Sequence, residues 1–236
     1  MEIPKTLTIF KNRFETPLEA LIRTRFEYNI PAEVPMSYAG RLDPMAVGQM
    51  LILVGDECKN REAYLNRDKI YKLEILFGVG TDTQDVFGVI NTEVREFTEN
   101  ENVALMIAAK TEIHAFVGTH VFKYPKYSTQ GLLANDGEEM PDREMTVMNI
   151  RFDGGKMILG KYLKALAFEA CEKIKGDFRY DEIKNSWNQI NHDIEYPVIK
   201  LEIECKAGTY MRTIAEELGK RIGVPTLAYY IERIKT

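Results

Sequence analysis

Tyr38-Ala39-Gly40-Arg41-Leu42-Asp43-Pro44-Met45-Ala46-Val47-Gly48-Gln49-Met50-Leu51-Ile52-Leu53-Val54-Gly55 leads from a polar turn straight into an apolar run. The turn carries one carboxylate, Asp43, two residues after Arg41 and just before Pro44. Asp-Pro pairs start turns, because Pro presets φ and Asp bonds to nearby backbone amides. Taken alone, Asp43 therefore reads as a turn former. A lone acid in a turn backed by buried structure is also how a scaffold holds one reactive group still. These residues alone leave both readings open.

The surrounding chain sets bounds. It has 236 residues, 45% of them hydrophobic, enough to bury a substantial core in one large or two small domains. No apolar run reaches the roughly 18 residues of a membrane span, and Met1-Glu2-Ile3-Pro4-Lys5 lacks the apolar stretch of a secretion signal. Cys58, Cys171 and Cys205 are odd in number and widely spaced. That suits reduced thiols in the cytoplasm and neither a disulfide framework nor a zinc site. The net charge of -5 weighs against a protein that coats RNA generally. It leaves room for an RNA enzyme, since the field that matters is the one inside the cleft.

The periodicity is mixed. Thr16-Pro17-Leu18-Glu19 is a helix start, with Thr16 as N-cap, Pro17 at the first helical position and Glu19 closing a capping box. Leu18, Leu21, Ile22 and Phe26 then share one helical face. Tyr71, Leu73, Ile75 and Phe77 alternate as in a strand, and so do Ile199, Leu201, Ile203 and Cys205. A helix is expected near 102–116, a strand over 145–152 and a surface loop over 136–142. Helical patterns follow at 162–174 and 181–190. A last helix is expected from Met211 to Ile222, ended by Gly223 and Pro225. The pattern is α+β.

Five segments resemble, in order, the motifs of the TruB family of pseudouridine synthases. The first is the Asp43 string, which has every fixed position of Gly-x-Leu-Asp-Pro-x-Ala-x-Gly. Lys69-Ile70-Tyr71 matches a Lys-x-Tyr, and Gly78, Thr81-Asp82-Thr83, Asp85 and Gly88 match Gly-x-x-Thr-Asp-Thr-x-Asp-x-x-Gly. Pro125-Lys126-Tyr127-Ser128 matches Pro-x-Tyr-Ser, and Gly208-Thr209-Tyr210-Met211-Arg212 matches Gly-Thr-Tyr-Ile-Arg.

The resemblance implies a mixed, largely antiparallel sheet flanked by helices and loops around an RNA cleft, forming one catalytic domain over 1–236. It implies isomerisation of a specific uridine to pseudouridine in structured RNA, with tRNA the expected substrate, acting as a monomer without metal or cofactor. Asp43 takes the place of the essential carboxylate, Arg212 pairs with it, and Tyr71 stacks on the flipped base. Tyr38, Arg41 and Tyr210 are expected to contact substrate or support the pocket. From the residues alone, Tyr71 reads as a core aromatic and Arg212 as a solvated arginine. Asp82 and Asp85 read as caps of backbone amides rather than as a metal pair.

The chain also departs from the family pattern. Tyr38 stands where a His usually lies five residues before the Asp, and Thr129-Gln130-Gly131 follows Ser128 in place of the usual Ala and Lys. The early Lys-Pro-x-Gly-x-Thr-Ser element is degenerate in Lys11-Asn12-Arg13-Phe14-Glu15-Thr16. Residues 155–192 look like a helical insertion, a candidate substitute for the family's C-terminal RNA-binding domain, which is not expected in this chain. Two rival functions remain at this stage: a non-catalytic RNA-binding or RNA-folding protein on the same scaffold, and an enzyme acting on a small nucleoside or C-glycoside.

Overall fold

The computed structural model describes residues 4–127, 140–176 and 178–236. The expected loop at 136–142 falls largely outside them, as do Ser128 and Thr129-Gln130-Gly131.

The described residues form an eight-stranded sheet. Its strands are β1 (Thr6–Lys11), β2 (Met36–Ala39), β3 (Val47–Val54), β4 (Lys69–Phe77), β5 (Gly118–Lys123), β6 (Asp142–Leu159), β7 (Glu195–Cys205) and β8 (Thr226–Lys235). The spatial order is β1-β3-β8-β4-β7-β6-β5, with β2 also on β3. The β3–β8 pairing is parallel and the other strand pairings are antiparallel, so the sheet is mixed and largely antiparallel. The helices are α1 (Pro17–Glu27), α2 (Arg61–Leu65), α3 (Glu99–Ile113), α4 (Gly160–Lys173), α5 (Tyr180–Trp187) and α6 (Met211–Ile222).

The alternation of β4 and β7 does what it implies. Tyr71, Leu73, Ile75 and Phe77 join Ile199, Leu201, Ile203 and Cys205 in one core, closed by α3 and by Met211, Ile214, Ala215 and Leu218 of α6. A second core takes Leu76 and Val198 from the same two strands and packs them with α4, α5 and the turn at 79–90. A strand buried on both faces must supply apolar side chains to both, which β4 does at Ile75, Leu76 and Phe77.

Three expectations change. The capping box at Thr16 and Glu19 forms, but α1 packs through Pro17, Ala20, Leu21 and Thr24. Leu18, Ile22 and Phe26 are exposed. The helix approaches its neighbours over small side chains, and Thr24 satisfies its hydroxyl on the Ala20 carbonyl at 2.7 Å. The helix expected near 102–116 starts earlier, because Thr98 and Glu101 form a capping box of their own. Residues 155–159, read as part of a helical segment, belong to β6 and pair with β7 from Ile199 to Glu195.

Gly48 sits where β3 and β8 run side by side. Its φ is +114°, and a Cβ there would lie 2.2 Å from the Arg233 carbonyl oxygen. Backbone strain and a backbone clash therefore act together against any side chain. Gly48→Ala should lower stability by about 3 kcal/mol or more, read as a fall in the urea midpoint. An unchanged midpoint would show that the β3–β8 approach yields easily.

Candidate active site

The turn around Asp43 is built from both sides. The Ala46 amide donates to the Asp43 carbonyl at 2.9 Å, closing a four-residue turn with Pro44 in its second position, where a preset φ helps most. Leu42 and Ala46 are buried in the main core, while the Asp43 side chain between them stays 42% exposed. The apolar neighbours thus pin the turn and leave the carboxylate accessible.

Arg212 meets it from the first turn of α6. Its side chain is only 4% exposed, and its Nε lies 2.8 Å from Asp43 Oδ2. That approach is a close ion pair with poor hydrogen-bond alignment, for Nε has no aligned acceptor. The fork is held elsewhere: Nη1 donates to the Thr83 carbonyl at 2.8 Å and Nη2 to the Tyr127 carbonyl at 3.4 Å. The solvated arginine suggested by position alone is not what the fold makes. Burial opposes the charge, but Asp43 and Asp85 outweigh it and raise the Arg212 pKa.

Asp85 is the second carboxylate of this group. It is 5% exposed, and its Oδ1 accepts from Thr83 Oγ1 at 2.8 Å and from the Phe87 amide at 2.9 Å. Burial pushes its pKa up to about 6, with Arg212 pulling it down and Asp43 adding to the rise. Asp82 caps the Val89 amide at 2.9 Å. Both acids therefore do bond to backbone amides, but Asp85 also faces the buried guanidinium. Among the described residues no group of three or more His, Cys, Asp or Glu could hold a metal ion.

The remaining site residues divide. Tyr71 is buried in the main core with Leu42 and Ala46. Burial raises its hydroxyl pKa, Arg233 opposes the rise and Asp43 adds to it, which puts the ring within the electrostatic reach of both. Tyr210 is the residue before α6; its ring meets Tyr124 edge-on at 5.6 Å, and burial, Tyr124 and Asp43 all raise its pKa. Arg41 is exposed on the turn. Tyr38 lies on β2 and packs against the cluster of Ile9, Leu21, Met50 and Ile52, so its recorded packing is with the α1 side of the sheet.

Two buried cations escaped the sequence reading. Arg233 of β8 is 1% exposed and donates to the carbonyls of Gln49 at 2.7 Å, Gly40 at 3.1 Å and Arg41 at 3.3 Å. Lys11 is fully buried and donates to the carbonyls of Asn12 at 2.9 Å and Glu15 at 2.6 Å, with Pro44 O at 3.5 Å. Burial lowers the Lys11 pKa to about 8, against Glu15 and Asp43. Both hold the turn by its backbone. The alternation Leu227, Tyr229, Ile231, Arg233 was a readable strand signal for β8, and a charge in phase with apolar neighbours was the clue to Arg233.

Asp85 carries a pH signature. Its folded pKa of about 6 lies above the ordinary 3.8, so on acidification the folded protein takes up this proton first. Its contribution to stability therefore falls as pH rises from about 4 to about 6, by roughly 2–3 kcal/mol. Asp85→Asn should remove that slope from urea midpoints measured across the window. A variant with the wild-type slope would assign the titration to another group.

Known proteins resemble this chain in sequence and in fold. The family model described as TruB family pseudouridylate synthase (N terminal domain) matches residues 32–152, just over half of the chain. The tRNA pseudouridine synthase B of Ligilactobacillus salivarius is 24% identical over 241 residues, covering 98% of this chain and 66% of that protein. The enzyme of the same name from Caldicellulosiruptor saccharolyticus is 26% identical over 204 residues, covering 85% and 57%. The chain thus spans about half to two thirds of the length of these relatives. Among solved structures, a chain of a Cbf5-Nop10-Gar1 complex superposes with a TM-score of 0.56 at 14% identity, covering 97% of this chain and 47% of that one. A chain of an H/ACA RNP bound to a substrate RNA containing 2′-deoxyuridine gives 0.55 at 13%, covering 98% and 47%, a likeness of fold. The family match runs through the Asp43 turn, Tyr71 and the Asp85 loop, and by it this protein belongs to the TruB family of pseudouridylate synthases.

Proposed function

We propose that this protein isomerises a specific uridine of a structured RNA, a tRNA in the first instance, to pseudouridine. The observation that carries the reading is the asymmetry of the Asp43–Arg212 pair: the guanidinium is buried and fixed, the carboxylate half open beside it. A buried, fixed cation orients its partner acid, and holding one oxygen leaves the other free for a reacting sugar or base. A protein that only binds RNA has no need of such a pair.

The chemistry asks for little else. The N1–C1′ bond of the uridine breaks, the detached base turns, and C5 bonds to C1′. The hydrogen on C5 then leaves as a proton and N1 takes one up, so the product is an isomer and no oxidant or energy source is consumed. Asp43 is the essential carboxylate, as nucleophile or as base toward the sugar. Arg212 pairs with it and holds it in place. Tyr71 forms the floor on which the base rests, and its hydroxyl assists loss of the C5 proton. The uridine must leave its stack to reach Asp43, so the RNA is bound with the base flipped. Tyr38, Arg41 and Tyr210 are the proposed substrate contacts. No helix among the described residues is long and apolar enough to cross a membrane. We take the protein to work as a monomer in the cytoplasm, where free thiols such as Cys58, Cys171 and Cys205 stay reduced.

Bulk tRNA labelled with tritium at uridine C5 tests this directly, because isomerisation must expel that label. The wild type should release tritium and Asp43→Asn should not. Arg212→Met should lose roughly a hundredfold or more of kcat while RNA affinity holds. Tight binding without release from tRNA or rRNA would favour the non-catalytic RNA protein. Release from free uridine or its phosphates, unaffected by competing RNA, would favour the small-molecule enzyme.

A further inference from the structure

We propose that the α4–α5 pair is a positioning element for this reaction and that Arg179, in the connection leading into α5, is the residue through which it acts. The inference deepens the function proposed above and rests on it.

The two carbonyls that hold the Arg212 fork belong to Thr83 and Tyr127. Arg179 clasps both segments from outside. Its Nη1 lies 2.7 Å from Asp82 Oδ2, one residue before Thr83, and its guanidinium sits 4.8 Å from the centre of the Tyr127 ring. Asp82 is itself tied down, with Oδ1 accepting the Val89 amide. The cation therefore joins two stretches, 44 residues apart in the chain from Thr83 to Tyr127, whose backbones meet at one guanidinium.

The helices behind Arg179 grip the same turn. Trp187, fully buried, donates its indole N–H to the Gly88 carbonyl at 2.9 Å, and the Ile90 amide donates to Ser186 Oγ at 3.0 Å. Leu163, Ala167 and Trp187 share a core with Val86 and Phe87, and with Met45, two residues after Asp43. Gly88 has no room for a side chain, since a Cβ there would lie 2.3 Å from Thr83 Oγ1. The turn is thus packed from the α4–α5 side and presents Asp85 and the Thr83 carbonyl to Arg212.

Four of the seven cations of this segment, Arg179 among them, are already engaged with carboxylates. Residues 155–192 carry seven lysines and arginines against five acids. Lys156, Lys173, Lys184 and Arg179 are each within ion-pair distance of a carboxylate, on Glu74, Glu169, Glu172 and Asp82 respectively. Phosphate binding needs cations that the protein leaves available.

Arg179→Met and Arg179→Lys in the full chain test the proposal. An ion pair this exposed adds little to stability, so the melting temperature should hold within a few degrees. For the Met variant on tritium-labelled bulk tRNA, kcat should fall roughly ten- to hundredfold with KM unchanged, the scale of a small misplacement of catalytic groups. The Lys variant, which keeps the pairing with Asp82 but not the planar stack, should recover part of it. Amide hydrogen exchange over 81–90 should quicken in the Met variant and return toward wild type in the Lys variant. A raised KM with kcat intact would make Arg179 an RNA contact and overturn the proposal, and so would unchanged kcat or unchanged exchange. If the wild type itself is silent on tRNA, the function proposed above fails, and the exchange measurement alone decides whether Arg179 holds the turn.

Discussion

Everything at this site depends on keeping one guanidinium charged in a place where water cannot reach it. Burying an unpaired cation is costly, and the cost is offset only when counter-charge and acceptors are supplied together. Arg212 has Asp43 at 2.8 Å, the field of Asp85, and the carbonyls of Thr83 and Tyr127. They come from three stretches of chain, around Asp43, at 83–85 and at Tyr127, so the pair acts as a junction on which the motifs converge. The main core, the 81–90 turn and the segment before Ser128 must all be in register before the charge is tolerated.

The same logic recurs around the carboxylate. The 40–44 turn is held by two further buried cations, Arg233 and Lys11, whose donors go to backbone carbonyls. A carbonyl ring satisfies a cation without neutralising it, so both charges still act on their surroundings. Arg233 pulls against the burial of Tyr71, and Asp43 raises the Lys11 pKa against the effect of burial. The glycines of the motif have equally physical reasons. Gly48 lets β8 lie against β3, and that contact is what brings Arg233 beneath the turn.

The membership in the TruB family and the geometry inform each other. Its model ends at residue 152, before α4, α5 and the Arg212 segment. Likeness of fold extends over 97% of the chain, yet identity to the solved structures is 14% and 13%. At such identity the likeness is one of fold. Leu18, Ile22 and Phe26 of α1 are exposed, and nothing in the structure shows what covers them.

What could be read directly were the features whose cause is local. The capping box at Thr16, the alternation of β4 and β7, the extent of α6 and the Asp-Pro turn each follow from neighbours a few residues apart. Asp43, Tyr71 and Arg212 were pointed to by the resemblance of their motifs to the TruB family, while the residues alone left them a turn former, a core aromatic and a solvated arginine. The strand nature of 155–159 was hidden, because pairing with β7 is decided across the sheet and not along the chain. The buried face of α1 was misread for a similar reason: an apolar stripe says which side is greasy, while close packing over Ala20 and Thr24 depends on what lies opposite. Arg233, Lys11, Asp85 and Arg179 matter through contacts 33 to 193 residues apart in the chain, and beyond the phase of Arg233 among apolar neighbours the sequence carries no sign of whether water surrounds these charges. The amino acids settle which groups are available and what each short stretch prefers. Only the tertiary structure decides which charges are buried together, because burial is a property of everything that packs around a group.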